Sequence, residues 1–124
     1  MVLVDTSVWI DHLRNGNSYL QELLDSDEVA CHPFIIGELA CGNLKNRAEI
    51  LNLLKFLPQI NQAGHDEVMY FIETNRLMGR GLGYVDMNLL ASAVLADSLL
   101  WTLDKKLDET NKILKTNYNL HNEL

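Results

Sequence analysis

Four carboxylates occupy positions in this chain where their type and spacing suit chemistry. Asp5 and Asp104 each follow a short apolar run and precede a helical pattern, in "VLVDTS" and "LLWTLD". Asp86 follows a glycine-rich stretch and begins another helical pattern. Glu38 lies inside "FIIGELAC", a segment so apolar that burying a charge there is costly unless cations or hydrogen-bond donors compensate it. These four acids are the candidate functional residues.

Each acid, taken alone, also has a plain structural interpretation. An aspartate at the start of a helix is a common N-cap, because its carboxylate accepts a backbone N–H of the first turn. That interpretation applies to Asp5, Asp86 and Asp104, while Glu38 also fits an exposed stripe of its helix. Both alternatives stay open for every single residue, and only placement in the fold distinguishes them.

Taken together, the four acids predict a site for a hard divalent cation. Two carboxylates about 4 Å apart repel each other by about 4 kcal/mol at an effective dielectric constant of about 20, so a cluster needs protons or cations between its members. No histidine or cysteine is spaced to join the set, and oxygen donors alone suit Mg²⁺ or Mn²⁺ better than zinc. Such ions serve phosphodiester hydrolysis by activating water, and the sequence offers no Ser/His/Asp or Cys/His arrangement as another nucleophile.

The elements that must position these acids alternate between strands and helices. The first apolar run is continuous, which is typical of a strand in a parallel sheet covered on both faces. We predict strands at 2–5, 28–31, near Ile60, at 99–104 and at the 117–120 edge, and helices at 7–14, 18–25, 33–42, 45–57, 65–77, 86–97 and 105–114. This order predicts an α/β fold with a central, mostly parallel sheet. Sites in such sheets form beyond the carboxyl ends of strands, where Asp5 and Asp104 stand.

Composition limits the class of protein. With 124 residues, 48% of them apolar and 22% charged, the chain is expected to form one soluble domain over 1–124. No apolar run approaches the ~20 residues that span a membrane, and Asp5 interrupts any signal peptide, so we expect a cytoplasmic location. The net charge of −7 argues against coating nucleic acid through bulk electrostatics. It allows a nuclease whose metal ions supply positive charge locally.

Cysteines and tryptophans are assigned to the core. Cys31 and Cys41 lie in apolar segments and fit no metal or redox spacing, so we expect small core residues in a reducing compartment rather than a disulfide. Trp9 and Trp101 also lie in apolar surroundings. We expect both to pack in the core rather than stack on nucleobases.

Four stretches together resemble the PIN-domain family, and within it the VapC-type toxin ribonucleases. They are "VLVDTSVWIDHL" at 2–13, "IIGELACG" at 35–42, "GYVDMNLLASA" at 83–93 and "LWTLDKKL" at 100–107, in the order and approximate spacing of the family. The resemblance implies an α/β/α sandwich and a metal-dependent endoribonuclease. It also implies dimerisation and neutralisation by a small VapB-like antitoxin that inserts into the active-site groove.

The resemblance assigns roles to individual residues. Asp5, Glu38, Asp86 and Asp104 match the acidic quartet that is catalytic and binds Mg²⁺ or Mn²⁺ in the family. Three residues are expected to support them: Thr6 after the first acid, Thr102 as the hydroxyl of the "TxD" motif, and Asp108 as an extra outer acid, for which a solvated helix face is the competing interpretation. Leu107 replaces an aromatic residue that the family often carries, which we interpret as a packing change.

Contacts with RNA phosphates are expected from two cations beside the acids. Arg80 lies in the glycine loop that leads to Asp86, and Lys105 directly follows Asp104.

Two other functions remain as alternatives. A receiver-like phosphotransfer domain also gathers acids at strand ends, although here hydroxyls rather than a second acid follow Asp5. A PIN-like scaffold that binds a partner without cleaving RNA is the other.

Overall fold

The centre of the protein is a short parallel sheet. The structure, a computed structural model, describes residues 1–118. Its three strands, in the order β2-β1-β3, are β1 (Val2–Val4), β2 (Val29–Ala30) and β3 (Leu99–Trp101). Both neighbours of β1 run parallel to it. The continuous apolar pattern of β1 corresponds to complete burial, and the predicted α/β class with a parallel sheet is confirmed.

Two isolated parallel bridges extend the sheet at its edges. Cys31 pairs with Gln59 beside β2, which places the short strand predicted near Ile60. Leu100 pairs with Asn117 beside β3, at the start of the predicted edge strand. The remainder of that prediction, residues 119–120, lies outside the described residues. With these bridges β1 occupies the middle of the sheet.

Helices cover the sheet and connect its strands. They are α1 (Thr6–Asn15), α2 (Ser18–Asp25), α3 (Pro33–Ala40), α4 (Arg47–Phe56), α5 (His65–Thr74), α6 (Tyr84–Leu95) and α7 (Lys105–Ile113). The predicted helices are all present, with ends shifted by a few residues. The largest functional consequence is at α6, which begins at Tyr84, so that Asp86 lies within its first turn instead of at its start. Among residues 1–118, none of the helices has the length and apolarity needed to cross a bilayer.

The core lies around β1 and α6. Seven consecutive residues of α6, Met87–Ala93, are buried, because this helix packs against β3 on one side and α5 on the other. Trp9 and Trp101 are buried, which confirms their assignment to the core. Cys31 is buried as expected, but the prediction for Cys41 is wrong. This thiol is exposed because it follows the last residue of α3, where the chain turns outward.

Candidate active site

Asp5 stands at the carboxyl end of the central strand. Its backbone N–H donates to the Trp101 carbonyl at 2.9 Å, so the ladder between β1 and β3 continues up to this residue. The side chain is buried, and Oδ2 accepts hydrogen bonds from the Ser7 hydroxyl at 2.8 Å and the Thr102 hydroxyl at 2.7 Å. The carboxylate makes no capping bond to α1, although it occupies the N-cap position. The interpretation of Asp5 as a simple N-cap is therefore wrong.

A network of hydroxyls fixes the Asp5 carboxylate. The Ser7 hydroxyl accepts the Leu103 N–H at 3.0 Å, and the Thr102 hydroxyl accepts the Asp104 N–H at 3.0 Å. Because each hydroxyl has one proton and both protons point at Asp5 Oδ2, the 3.3 Å contact between the two hydroxyl oxygens is not itself a donation. The described residues give Asp5 Oδ1 no hydrogen bond, so this oxygen is available to a ligand.

Ser7 was missed by the sequence reasoning, which considered only Thr6 and Thr102 as supporting hydroxyls. A signal was present in the "DTS" run of the sequence. A serine in the first turn of a helix is well placed to turn back toward the residue at the N-cap. The sequence does not show that the same hydroxyl also binds the loop that carries Asp104.

Glu38 approaches from α3, which packs against α1. Its Oε1 accepts a hydrogen bond from the Thr6 hydroxyl at 2.8 Å. Partial burial raises the pKa of Glu38, the Thr6 bond opposes this shift, and the charges of Asp5 and Asp86 raise the pKa further. Glu38 is exposed, as the stripe interpretation expected, and the charges of Asp5 and Asp86 act on it.

Asp86 and Asp104 stand at the beginnings of two helices. Asp86 Oδ2 accepts the Gly83 N–H at 3.3 Å. Burial raises the pKa of Asp86, the Gly83 bond lowers it, and the charges of Asp5 and Asp104 raise it further. Asp104 Oδ1 accepts the Leu107 N–H at 2.9 Å, so Asp104 is an N-cap of α7 as one interpretation expected. Capping uses only one of its two carboxylate oxygens.

The four carboxylates are linked by pairwise charge effects, of Asp5 and Asp86 on Glu38 and of Asp5 and Asp104 on Asp86. Their charges act on one another, and the single ion pair of residues 1–118 joins Lys112 to Asp108 at 3.1 Å, within α7. Within this described part, no group of three or more His, Cys, Asp or Glu side chains is arranged so that it could hold a metal ion. Carboxylate oxygens are the type of donor that Mg²⁺ and Mn²⁺ prefer, and such ions bind through a few of them and keep several waters. Asp108 has Lys112 as its partner, which favours the solvated-face interpretation.

The two cations predicted to contact RNA phosphates lie on the surface. Arg80 and Lys105 are both exposed, and neither forms an ion pair in the described residues. Gly81, with φ +78°, adopts a left-handed conformation that suits glycine, and a Cβ there would lie 3.1 Å from the Lys106 ammonium nitrogen. Lys106 therefore lies against the glycine loop. The prediction for Lys105 rests on its position directly after Asp104 and stays a prediction.

A groove of about 660 Å³ begins beside Glu38 and runs between α1 and the α3–α4 region. Arg14 and Lys45 are its two cations, and the rest of its lining is largely apolar and amide side chains. Glu38 is the one acid in its lining and the only one of the four candidate acids that reaches it.

Comparison with known proteins gives two findings. The PIN domain family matches residues 2–113 of this chain. The chain is also 53% identical over 108 residues to "Ribonuclease VapC32" of Mycobacterium tuberculosis strain CDC 1551 / Oshkosh, covering 86% of this chain and 87% of that protein. The protein of the same name from strain ATCC 25618 / H37Rv has the same identity and coverage.

Proposed function

We propose that this chain, which belongs to the PIN domain family, is an endoribonuclease. It hydrolyses RNA phosphodiester bonds and depends on Mg²⁺ or Mn²⁺. The observation that supports the proposal is the mutual charge effect among Asp5, Glu38, Asp86 and Asp104, none of which forms an ion pair within residues 1–118. The two relatives are named ribonucleases, which supports RNA as the substrate.

The four carboxylates are the proposed metal-binding and catalytic residues. A bound divalent ion lowers the pKa of an attacking water and neutralises the leaving oxygen. The protein contributes orientation: Ser7 and Thr102 fix Asp5, while Thr6 directs Glu38. We assign phosphate contacts to Arg80 and Lys105, which are exposed and free of ion pairs within residues 1–118. Asp108 remains a predicted outer acid, and its ion pair with Lys112 weighs against that role.

The proposed biological role is that of the toxin in a type II toxin–antitoxin pair. The identity of 53% to two VapC proteins supports this role. It implies a VapB-like antitoxin as partner, a homodimer or a toxin–antitoxin hetero-oligomer, and a cytoplasmic location. We propose that residues 1–124 form a single PIN domain, and the family match over residues 2–113 supports this.

Family membership opposes the receiver-like alternative, whereas a PIN-like scaffold without activity needs a direct test. The purified protein should cut single-stranded RNA with Mg²⁺ or Mn²⁺ and stop cutting in excess EDTA. Asp5→Asn should abolish cleavage, and Asp66→Asn, a matched change in the first turn of α5, should not. Undiminished cutting by Asp5→Asn or in EDTA would contradict the proposal. Absence of cutting by the unaltered protein, with partner binding retained, would favour the scaffold.

A further inference from the structure

The groove beside Glu38 follows one face of α1. Thr6 stands at the Glu38 end of this face, since its hydroxyl donates to Glu38 Oε1 at 2.8 Å. Ile10, Leu13 and Arg14 follow at helical spacing, and all three line the groove. Thr6 and Arg14 are eight residues apart, which is about 12 Å along the helix axis. The groove therefore extends from a candidate metal ligand to a cation in the last turn of α1.

The opposite wall of the groove is the connection between α3 and α4. Residues 42–46 of this connection line the groove. Arg47, the first residue of α4, donates from Nε at 3.2 Å and from Nη2 at 2.9 Å to the carbonyl of Ala40, the last residue of α3. These two hydrogen bonds join the ends of the connection, so the wall is held in place before any ligand binds. Lys45 is an exposed cation within this held segment.

The chemistry of the lining suits a nucleic-acid strand. Arg14 and Lys45 are exposed, and neither forms an ion pair within the part of the chain that the structure describes. Asn43 and Asn46 contribute amide groups, which both donate and accept hydrogen bonds as the edges of unpaired bases do. The volume of about 660 Å³ lies within the roughly 300–1,000 Å³ that is typical of ligand sites.

We propose that this groove binds the RNA strand on one side of the scissile phosphate, with Arg14 and Lys45 as contacts to backbone phosphates. The inference rests on the proposed ribonuclease function. A strand whose scissile phosphate is held at the carboxylates continues over the neighbouring surface, and this groove is a cavity that one of those carboxylates, Glu38, lines. With a net charge of −7 the protein repels RNA at long range, so local cations supply the phosphate contacts. These contacts add to those assigned to Arg80 and Lys105.

Salt-dependent RNA binding tests the two cations without requiring cleavage. The full-length protein is titrated into fluorescently labelled single-stranded RNA in EDTA, with anisotropy as the readout. Arg14→Gln and Lys45→Gln should each weaken binding about five- to tenfold at about 50 mM salt. Each should also reduce the steepness of the plot of log association constant against log salt concentration by about 0.7, as expected for one lost phosphate contact. Lys55→Gln, which removes an exposed cation of α4 outside the groove lining, should change neither quantity.

Cleavage kinetics test where the groove lies relative to the reacting bond. With Mn²⁺, the double variant Arg14→Gln/Lys45→Gln should raise KM and leave kcat nearly unchanged, because contacts away from the reacting bond hold substrate and transition state alike. Shortening the substrate from one end toward the cleavage site should raise KM for the unaltered protein and change it little for the double variant. This coupling is expected if the removed nucleotides contact the two cations.

Several results would overturn the proposal. An equal loss of binding in Lys55→Gln would assign the effect to overall charge. Normal RNA binding by Arg14→Gln and Lys45→Gln, an unchanged salt dependence, or no RNA binding by the unaltered protein at low salt would refute the phosphate contacts. Weaker binding of an acidic protein partner alone would make the groove a protein-docking site. If the unaltered protein cuts no RNA with Mn²⁺, the proposed function fails, whereas the salt dependence still decides whether the groove binds RNA.

Discussion

At the scale of single residues, neutral donors orient the central acid. Asp5 receives two hydroxyl hydrogen bonds and, among the described residues, no ion pair. A lysine or arginine in their place would neutralise the carboxylate and compete with a metal ion. Hydroxyl donors fix its direction and leave its charge available, which is the usual function of groups that support metal ligands.

Removing the Thr102 hydroxyl tests most directly whether these hydroxyls orient the Asp5 carboxylate. Thr102→Val keeps the shape of the side chain but removes the bond to Asp5 and the acceptor of the Asp104 N–H. We expect cleavage to fall about 10- to 100-fold, as is typical when a partner of a metal ligand is lost. The free energy of unfolding should fall by about 1–3 kcal/mol, measured by urea denaturation. Thr102→Ser retains the hydroxyl and should preserve most of the activity; equal rates for the Val and Ser variants would contradict the orienting role.

The ionised carboxylate of Glu38 should lower the stability of the folded protein, and this effect should depend on pH. Its pKa in the folded protein is raised above the unfolded value by burial and by the charges of Asp5 and Asp86. Between the unfolded and the folded pKa of Glu38, the folded protein binds more protons than the unfolded chain. The free energy of unfolding therefore falls as the pH rises from the lower to the higher pKa, and the loss is complete above the higher one. In EDTA at pH 7, Glu38→Gln should therefore unfold at a higher temperature than the unaltered protein, by a small margin because the side chain is exposed and solvent screens its charge.

Two further measurements complete the Glu38 test. The difference in unfolding temperature should vanish toward pH 4, below both pKa values, and cleavage should be lost at every pH. Glu22→Gln, an exposed change on α2, should alter neither property. A lower unfolding temperature of Glu38→Gln at pH 7 would show that the acid is already compensated.

At the scale of elements, Asp86 and Asp104 lie at the beginnings of α6 and α7. Asp104 caps its helix and is also a proposed metal ligand. Asn is about as good an N-cap as Asp, so Asp104→Asn should leave the free energy of unfolding nearly unchanged while cleavage is lost. Asp104→Ala should lose cleavage and also about 1 kcal/mol of stability. Comparing urea denaturation with RNA cleavage separates the roles, and an active Asp104→Asn would reduce Asp104 to a cap.

The helix that carries Glu38 is positioned by a buried histidine. His32 Nδ1 accepts the Phe34 N–H at 3.0 Å at the start of α3, and Nε2 lies 3.1 Å from the Ser92 hydroxyl on α6. Because Nδ1 is an acceptor, Nε2 carries the proton and donates to Ser92. The ring is completely buried and neutral, and burial lowers its pKa to about 4. His32 therefore links the start of α3 to the core.

Acid should weaken this link. Since the folded pKa of His32 is below the unfolded value, its stabilising contribution is present above pH 6.5 and is lost as the pH falls to about 4. The loss is on the order of 3 kcal/mol, at 1.36 kcal/mol per pKa unit. His32→Asn retains a side-chain acceptor for the cap and should lack this part of the pH dependence in urea denaturation. Parallel pH profiles of the variant and the unaltered protein would contradict the assignment.

At the scale of the whole molecule, the gathered negative charge predicts stabilisation by divalent cations. Mn²⁺ at about 100 times its dissociation constant should add about 2.7 kcal/mol to the free energy of unfolding, which corresponds to roughly 10 °C in unfolding temperature. Asp5→Asn should lose most of this shift, while NaCl at the same ionic strength should produce little of it in either protein. An equal shift in both proteins would place the ion elsewhere.

Much of the fold was predictable because the necessary signals are local. The apolar run of β1, the helix-breaking "NGN" at 15–17 and the proline that opens α3 each act within a few residues. Element boundaries were less accurate, since local signals at helix ends compete with tertiary contacts. The exposure of Cys41 shows this, because an apolar neighbourhood in the sequence does not specify which side of a turn faces water.

The sequence by itself determined the α/β class, the four acids and, through family resemblance, their proposed common function. Only the tertiary structure decided how they are held: the Thr102 hydroxyl reaches Asp5 across 97 positions of the chain, and the Thr6 hydroxyl reaches Glu38 across 32. It also revealed Ser7 and the link from His32 to α6. The physical reason is range: secondary structure follows from neighbours a few residues apart, whereas a site depends on how separate elements pack and which faces they turn toward each other.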